Sequence, residues 1–533
     1  MSTDPANELE SLAHQLEELN RIGAALSAER DTARLLDLIL AKAREITDSD
    51  AGSLYIAETA PEADPPGPHA PAGDGERHRR LRFSIAQNNS ANLSFQEAVL
   101  EITATSLAGY VALTGETVML DDAYVLPADA PYTFDRSFDE SNGYRTRSVL
   151  AAPMRTPQGG IVGVLQLINA TSNGGVVSYS ERQRSLVTSL AAQAAVALEN
   201  SQLYAEIRQL FEGFVRASVV AIEARDPATS GHSFRVANLT VALAETADRA
   251  DAGRFEAVRF SREEMRTIRY AALLHDFGKV GVPEEVLVKA KKLYPMQLEL
   301  VRERFSLAQR SRELTSMRAR LDYVLEHGAE AYRECLAGFD TDLASEVAAL
   351  ERHLIDIERA NEPSLLPDGS FERLVEIASV TFPDVGGAIR PLLGEEEVRV
   401  LSLRKGSLSE AERVEIEAHV VHSFRFLSQI PWTREIRRIP TIAAGHHEKL
   451  NGKGYPHKLS APDIPIQTRM MTISDIFDAL SAADRPYKKA IPIERALDIL
   501  QLAVKDGELD AELFALFVDA RVYDRWQVEP YPY

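Results

Sequence analysis

Cysteine is nearly absent from this chain of 533 residues: Cys335 is the only one. That excludes an intramolecular disulfide and any zinc–thiolate site. Long apolar runs are missing too. No stretch of 18 apolar residues occurs, which argues against a membrane-spanning helix. The first residues, Met1-Ser2-Thr3-Asp4-Pro5, lack the basic and apolar regions of a secretory leader, so the chain reads as cytoplasmic. Positive charge is scarce: 59 Lys and Arg stand against 80 Asp and Glu, a formal net charge of -21. Such a surface as a whole repels nucleic acid and anionic membranes. An anionic substrate must therefore meet a locally positive pocket. The remaining composition is ordinary for a globular protein, and the length suggests about three domains.

Against that background two stretches concentrate costly residues. One is Ala444-Gly445-His446-His447-Glu448-Lys449-Leu450-Asn451-Gly452-Lys453-Gly454-Tyr455-Pro456; the other is Leu274-His275-Asp276-Phe277-Gly278-Lys279. Both begin inside apolar helical patterns, Ile439 to Ala443 and Tyr270 to Leu274. Polar groups entering a core this way need a partner. Imidazole with carboxylate suits iron, manganese or zinc. Surface histidines on a charged helix would leave the aspartate and lysine without a role.

Along the chain, Leu9, Leu12, Leu16, Leu19, Ile22 and Leu26 predict an N-terminal helix over 1–29, either packed locally or forming a short dimer seam. Residues 30–200 alternate in type. A helix is predicted at 32–47, with strands at Ala51–Ala57, Arg80–Ala86, Ser148–Met154 and Gly159–Asn169. Pro61 to Gly75 reads as a solvated hairpin loop, with His69 and His78 in or beside it. A helix from Ser180 to Arg225 would span roughly 70 Å. That length favours a homodimer, with this helix passing signals between domains. Residues 212–300 and 405–505 are helical by period, within a domain read over 212–304 and 405–533. Between them, 305–404 reads as a helical hairpin insertion, with Leu314, Met317, Leu321, Val324 and Leu325 at helical steps. His327, His353 and Cys335 fall there as surface or packing residues.

The segment 30–200 resembles a GAF domain. The resemblance lies in Phe138 to Met154, in Gly163-Val164-Leu165-Gln166-Leu167-Ile168-Asn169, and in the closing helix Leu190 to Asn200. It implies an α+β fold, an antiparallel sheet with helices, that either senses a small ligand or serves as a ligand-free dimerisation module. Asn169 of the cyclic-nucleotide motif is present, but Ser178-Tyr179-Ser180-Glu181 replaces the Phe and Asp-Glu pair of that motif.

Five segments supply metal-type side chains: Gly231-His232-Ser233, His275 to Lys279, Glu417-Ala418-His419-Val420-Val421-His422, His446-His447-Glu448, and Ile473 to Leu480. Their order resembles the HD superfamily of phosphohydrolases. His419, the His446-His447 pair and Gly454-Tyr455-Pro456 narrow the resemblance to the HD-GYP family, with Ile222 to Pro227 and Asp484-Arg485-Pro486-Tyr487-Lys488 as further matches. The resemblance implies an all-α domain that hydrolyses cyclic di-GMP to linear pGpG, and possibly on to GMP. It implies two divalent transition metals per protomer, iron or manganese favoured. His232, His275, Asp276 and Asp475 would hold one; His419, His446, His447 and Asp276 the other, with Asp276 as bridge.

Lys279 lies four residues after His275, on the same face if the helix continues, and would stabilise charge on a phosphate oxygen. Arg485 and Lys488 would grip the second phosphate. Asp478 either anchors the substrate-binding loop or caps a helix. His422 is the alternative to His419. Glu448 reads as a support or a helix salt bridge, Tyr455 as a loop-shaping residue, Asn451-Gly452 as a turn, and His457 and His14 as exposed. Some members of the family resemble a trinuclear site with a glutamate four residues before the first histidine; here that position is Ala228, which implies two metals. Alternative functions are hydrolysis of a hybrid cyclic dinucleotide containing adenine, and a silent adaptor acting through the GAF domain and the insertion.

Overall fold

The computed structural model describes residues 17, 19–29, 31–59, 79–90, 99–226, 230–482 and 490–526. Leu9, Leu12, Leu16, the Pro61–Gly75 segment with His69, His14, His78, Ala228, Arg485 and Lys488 lie outside them. The chain divides into two compact units between Phe211 and Glu212.

The first unit is built on an antiparallel sheet. Its strands are β1 (Ser49–Thr59), β2 (Arg79–Asn88), β3 (Val99–Glu101), β4 (Val118–Leu120), β5 (Val149–Arg155), β6 (Ile161–Ser172) and β7 (Gly175–Val177). The order is β3-β2-β1-β6-β5-β4, with β7 added to β6. The register sets Ala51 opposite Ile168 and Val149 opposite the same residue on the other side. β5 is a continuous apolar run, Val149 to Met154, buried throughout. Such a run suits a strand covered on both faces.

Leu150, Ala152 and Met154 face a core shared with Ile22, Leu26, Leu35, Ile39 and Leu40. Val149 and Ala151 face a second core with Leu107, Val111 and Tyr132. The helix Thr32–Thr47 starts where the Asp31 carboxylate accepts from the backbone N–H groups of Ala33 and Arg34, and stops at Asp48 in the left-handed region. Residues 19–28 are helical and bury Ile22 and Leu26 in this unit's own core. The antiparallel sheet with covering helices agrees with the fold read from the sequence.

Two residues singled out there prove to hold the fold. Asn169, at φ 55°, accepts from Arg147 N–H at 2.7 Å and donates to Tyr144 Oη and Arg145 O, fixing the segment that leads into β5. Tyr179 is buried, with its hydroxyl 2.8 Å from Ser49 Oγ.

One helix of 45 residues, Glu181–Arg225, leaves the first unit. Every residue from Leu203 to Leu210 along it is exposed. No helix among the described residues is long and apolar enough to cross a membrane.

The second unit is mostly helical. Helix His232–Asp248 packs on Arg262–Leu274 and Ile466–Ser481. Leu239, Leu243, Ile268, Met470, Ile473 and Phe477 close its core with Leu500 and Phe517. Ser261 and Glu264 form a capping box at the start of Arg262–Leu274.

Helix Pro295–Ala360 breaks at Gly328 (φ 84°, ψ 168°) into two antiparallel arms. Arg302–Glu358 at 2.6 Å and Arg320–Asp340 at 2.9 Å pair across them. The sequence reading starts the insertion at 305 and makes it helical. The helix that carries it begins at Pro295, and Thr381–Pro383 pairs with Ile389–Pro391 as a two-stranded ribbon. Pro295 sits in the first turn, where its missing N–H costs nothing.

The insertion has its own core around Phe305, Ile357, Ile377, Leu392 and Leu401. At its base the Lys292 ammonium donates to Leu401 O, and Asn361 Oδ1 accepts from Leu293 N–H.

Candidate metal centre

The second unit brings six buried side chains to one point: His232, His275, Asp276, His419, His446 and Asp475. Half-buried His447 joins them. All but Asp475 come from a helix end or a short turn; Asp475 projects from within helix Ile466–Ser481. Helix Arg262–Leu274 stops at His275, which caps it, and a 3-10 turn, Phe277–Gly281, follows. The α-helix therefore does not continue to Lys279, as the spacing argument supposes. The tighter turn still brings the Lys279 ammonium back to Asp276, 2.9 Å from Oδ2.

A single device orients three imidazoles. Nδ1 of His275 lies 2.7 Å from Ala272 O, Nδ1 of His446 lies 2.7 Å from Ala443 O, and Nδ1 of His419 bonds Ile416 O. Each carbonyl lies three residues back in the same turn. A carbonyl oxygen can only accept, so Nδ1 carries the proton and Nε2 presents a lone pair. His232 is held differently. Its Nδ1 meets Asp478 Oδ2 at 2.7 Å, and Arg235 Nε grips Asp478 Oδ1 at 2.6 Å.

The Nε2 atoms converge on Asp276 and Asp475. Asp276 Oδ2 lies 3.5 Å from His275 Nε2 and 3.9 Å from His232 Nε2. Its Oδ1 lies 3.4 Å from His419 Nε2 and 3.9 Å from His446 Nε2. Asp475 Oδ1 is 3.2 Å from His232 Nε2. His419, His446 and His447 each offer a ligand atom, all within 4.8 Å of one another, and so do His232, His275 and Asp276. His419 Nε2 faces His446 Nε2 at 3.4 Å. Two lone pairs at that distance repel unless a cation lies against them. The donor set, imidazole nitrogens and carboxylate oxygens, fits a divalent transition metal.

Electrostatics agree with that fit. Burial pushes the Asp276 carboxyl up, but the Lys279 ammonium and the imidazoles outweigh it and hold it well below the carboxylate range. Burial and neighbouring imidazoles push His446 far down, and burial lowers His447 to about 4. Burial also lowers His419. These three rings are neutral near pH 7, as ligands must be. His232 is the exception: burial lowers it, yet Asp475 and Asp478 raise it to about 9. A metal at Nε2 would displace that proton.

Close packing holds the elements together. A Cβ on Gly278 would lie 1.9 Å from His419 O, so only glycine lets the turn touch the His419–Leu427 helix. Ser423 Oγ accepts from Gly278 N–H and donates to His275 O, both at 2.7 Å. Gly454 is also closely approached, with a Cβ there 2.4 Å from Lys449 N and 2.5 Å from His447 O. The Tyr455 ring lies tilted against His447, with centroids 4.7 Å apart.

The other residues singled out in the sequence fall into place. His422 points away, its ring against Gly281. Glu448 is buried and accepts from His457 N–H and Leu459 N–H, so it fixes the loop after Tyr455 instead of forming a helix salt bridge. Asn451 bonds Asp506 O and its own turn. Asp478 is fully enclosed, with both oxygens engaged by His232 and Arg235. It stands behind His232 and supports it.

Sequence reasoning gave no role to Asp226, Glu223, Arg235 or Ser423. Asp226 Oδ2 lies 3.0 Å from Lys279 Nζ across 53 positions, a separation no local pattern reveals. Glu223 accepts from Gly231 N–H and from Ser233 N–H, the latter in the first turn of helix His232–Asp248. Arg235 and Ser423 lie one turn beyond His232 and His419, so helical spacing could have found them.

Comparison with known families agrees with this architecture. A GAF domain model matches residues 31–198. HD domain models match residues 229–357 and 394–513. The chain is thus an HD-domain protein with an N-terminal GAF domain. His419, His446-His447 and Gly454-Tyr455-Pro456, on which the resemblance to the HD-GYP family rests, fall within the second HD match.

Among relatives is a protein named 3'3'-cGAMP-specific phosphodiesterase 3 from Vibrio cholerae serotype O1, 39% identical over 112 residues, covering 21% of this chain and 23% of that one. Another, named cyclic di-GMP phosphodiesterase response regulator RpfG, from Xanthomonas campestris pv. campestris, is 32% identical over 148 residues, covering 24% and 37%. The alignments span only that minority of each relative's length. A solved GAF domain from a Coxiella burnetii phosphoenolpyruvate-protein phosphotransferase is 20% identical, covering 36% of this chain and 96% of that one with a TM-score of 0.27.

Proposed function

We propose that this protein is a metal-dependent phosphodiesterase that opens cyclic di-GMP to linear pGpG under control of its GAF domain. One observation carries the reading: the two oxygens of Asp276 face different imidazole pairs, His232 with His275 and His419 with His446. In this reading His232, His275, Asp276 and Asp475 hold one divalent cation, iron or manganese. Asp276, His419, His446 and His447 hold a second. Such a pair, when bound, clamps phosphate oxygens and orders the attacking water.

The chain's own groups do the rest. Asp478 and the three backbone carbonyls fix the imidazole tautomers. Lys279, positioned by Asp226, places a cation where charge grows on the phosphate and stabilises it. Arg485 and Lys488 bind the second phosphate. The exposed stripe Leu203, Ile207, Leu210 and Phe214 on the long helix supports a homodimer through that helix. A complete ligand set supports catalysis over a silent adaptor.

A second reading, hydrolysis of a hybrid adenine-containing dinucleotide, is favoured by the name of the Vibrio cholerae relative. Protein purified without oxygen, analysed for metal and assayed on cyclic di-GMP and 3'3'-cGAMP, separates the two. Higher kcat/KM on cyclic di-GMP supports the first reading, and higher kcat/KM on cGAMP selects the second. No hydrolysis of either by metal-loaded protein overturns both.

A further inference from the structure

The first arm of the insertion carries two apolar faces. Val301, Phe305 and Ala308 are buried in the insertion's own core. On another face Leu300, Leu307, Leu314 and Leu321 recur at every seventh position, and all four are exposed. Met296 and Met317, also exposed, stand at the intervening positions of the same stripe. Two further intervening positions, both exposed, carry charge: Glu303 and Arg310. The arm thus presents an unbroken four-three stripe, the repeat of a two-stranded coiled coil. A solvent-facing apolar stripe of this length marks an interaction surface.

We infer that this stripe binds a second copy of the same arm, running antiparallel. The two charges select that occupant. In a parallel pair, Glu303 would meet Glu303 and Arg310 would meet Arg310 inside the seam, and like charges there repel. In the antiparallel pair the spacing is self-complementary. Met296 faces Leu321 of the second copy, Leu300 faces Met317, Glu303 faces Leu314, and Leu307 faces Arg310. The eight positions from Met296 to Leu321 thus pair among themselves. Glu303 then lies one layer from Arg310 of the second copy, within reach of its guanidinium. The surface pair that Arg310 makes with Glu313 in its own helix is 2.7 Å long, with Arg310 80% exposed. Exposed pairs of this kind contribute little, so Arg310 is free to turn into the seam. This contact is independent of the reaction and of the proposed long-helix dimer.

The test uses the full chain with Cys335→Ser, which removes the only native thiol. Met296→Cys and Leu321→Cys are made on separate preparations, mixed, and oxidised mildly. Both sites are exposed, so neither change disturbs a core. The inference requires a disulfide between the two species on mixing and little in either alone. Glu303→Arg should reduce that product several-fold, and adding Arg310→Glu should restore it. A disulfide formed within the Met296→Cys preparation alone would show a parallel pair and overturn the inference. So would a mixed product no more abundant than native Cys335 gives as an exposed control, or failure of the double charge reversal to restore it.

Discussion

Asp478, fully buried, grips His232 through Nδ1 at 2.7 Å and is itself gripped by Arg235. It lies behind the centre and fixes which nitrogen of His232 faces inward. Replacing Asp478 with Asn keeps the shape but removes the charge. Loss of such an outer partner commonly weakens a metal site by about 10- to 100-fold. Metal titration of Asp478→Asn should show that weakening with the helical circular dichroism intact. Unchanged affinity would mean that Asp478 serves only packing.

Lys279 sits between Asp226 and Asp276. Lys279→Ala should retain metal while the rate falls, since one charge-stabilising donor is typically worth about 100- to 1000-fold. Metal analysis and turnover on the same preparation decide it. Collapse of metal content with an unchanged rate per metal would make Lys279 structural.

Glu412 accepts from Lys289 at 2.7 Å and from Tyr294 Oη at 2.7 Å. Burial raises its carboxyl, but these donors outweigh it and lower it from 4.5 to about 2. A carboxylate depressed in the folded state stabilises above its unfolded value and loses that contribution as pH falls through the folded one. The window is therefore pH 4.5 down to about 2. Near the surface, solvent screening leaves roughly 1 kcal/mol. The melting difference between wild type and Glu412→Gln should shrink across that window; a constant difference would contradict the linkage.

The product pattern tests the number of cations. With Ala228 where a third-site glutamate would stand, two metals per protomer are expected. Linear pGpG should then accumulate before GMP. Three bound catalytic metals, or GMP from the outset without pGpG, would refute this.

Inserting a few residues near Ala205, within the 45-residue helix, should alter activity by rotating one domain against the other. Identical kinetics would show that the GAF domain exerts no control through this helix.

Much of this was legible because the chemistry repeats locally. The apolar run Val149 to Met154 announced a central strand, and Tyr270 to Leu274 announced a helix delivering His275. Strands of three residues, such as Val99–Glu101 and Gly175–Val177, escaped notice because they are too short to show alternation. Within the centre, His419 could be told from His422 only by the approach to it, and the fold separates them by a turn of helix. The partners of Lys279 were illegible for another reason. Asp226 reaches it from the end of a different helix, and tertiary pairing leaves no periodic trace.

The stitch at the base of the insertion bears on how the centre forms at all. His275 and Ser423, which touch through one hydroxyl, are 148 positions apart in the chain. The Lys292–Leu401 bond closes 109 of those positions into a unit with its own core. If that unit folds first, roughly 40 residues remain to be closed, which lowers the closure entropy by about 1 kcal/mol. The insertion is then a pre-tied loop: it lets two distant halves of a metal cradle search for each other as near neighbours.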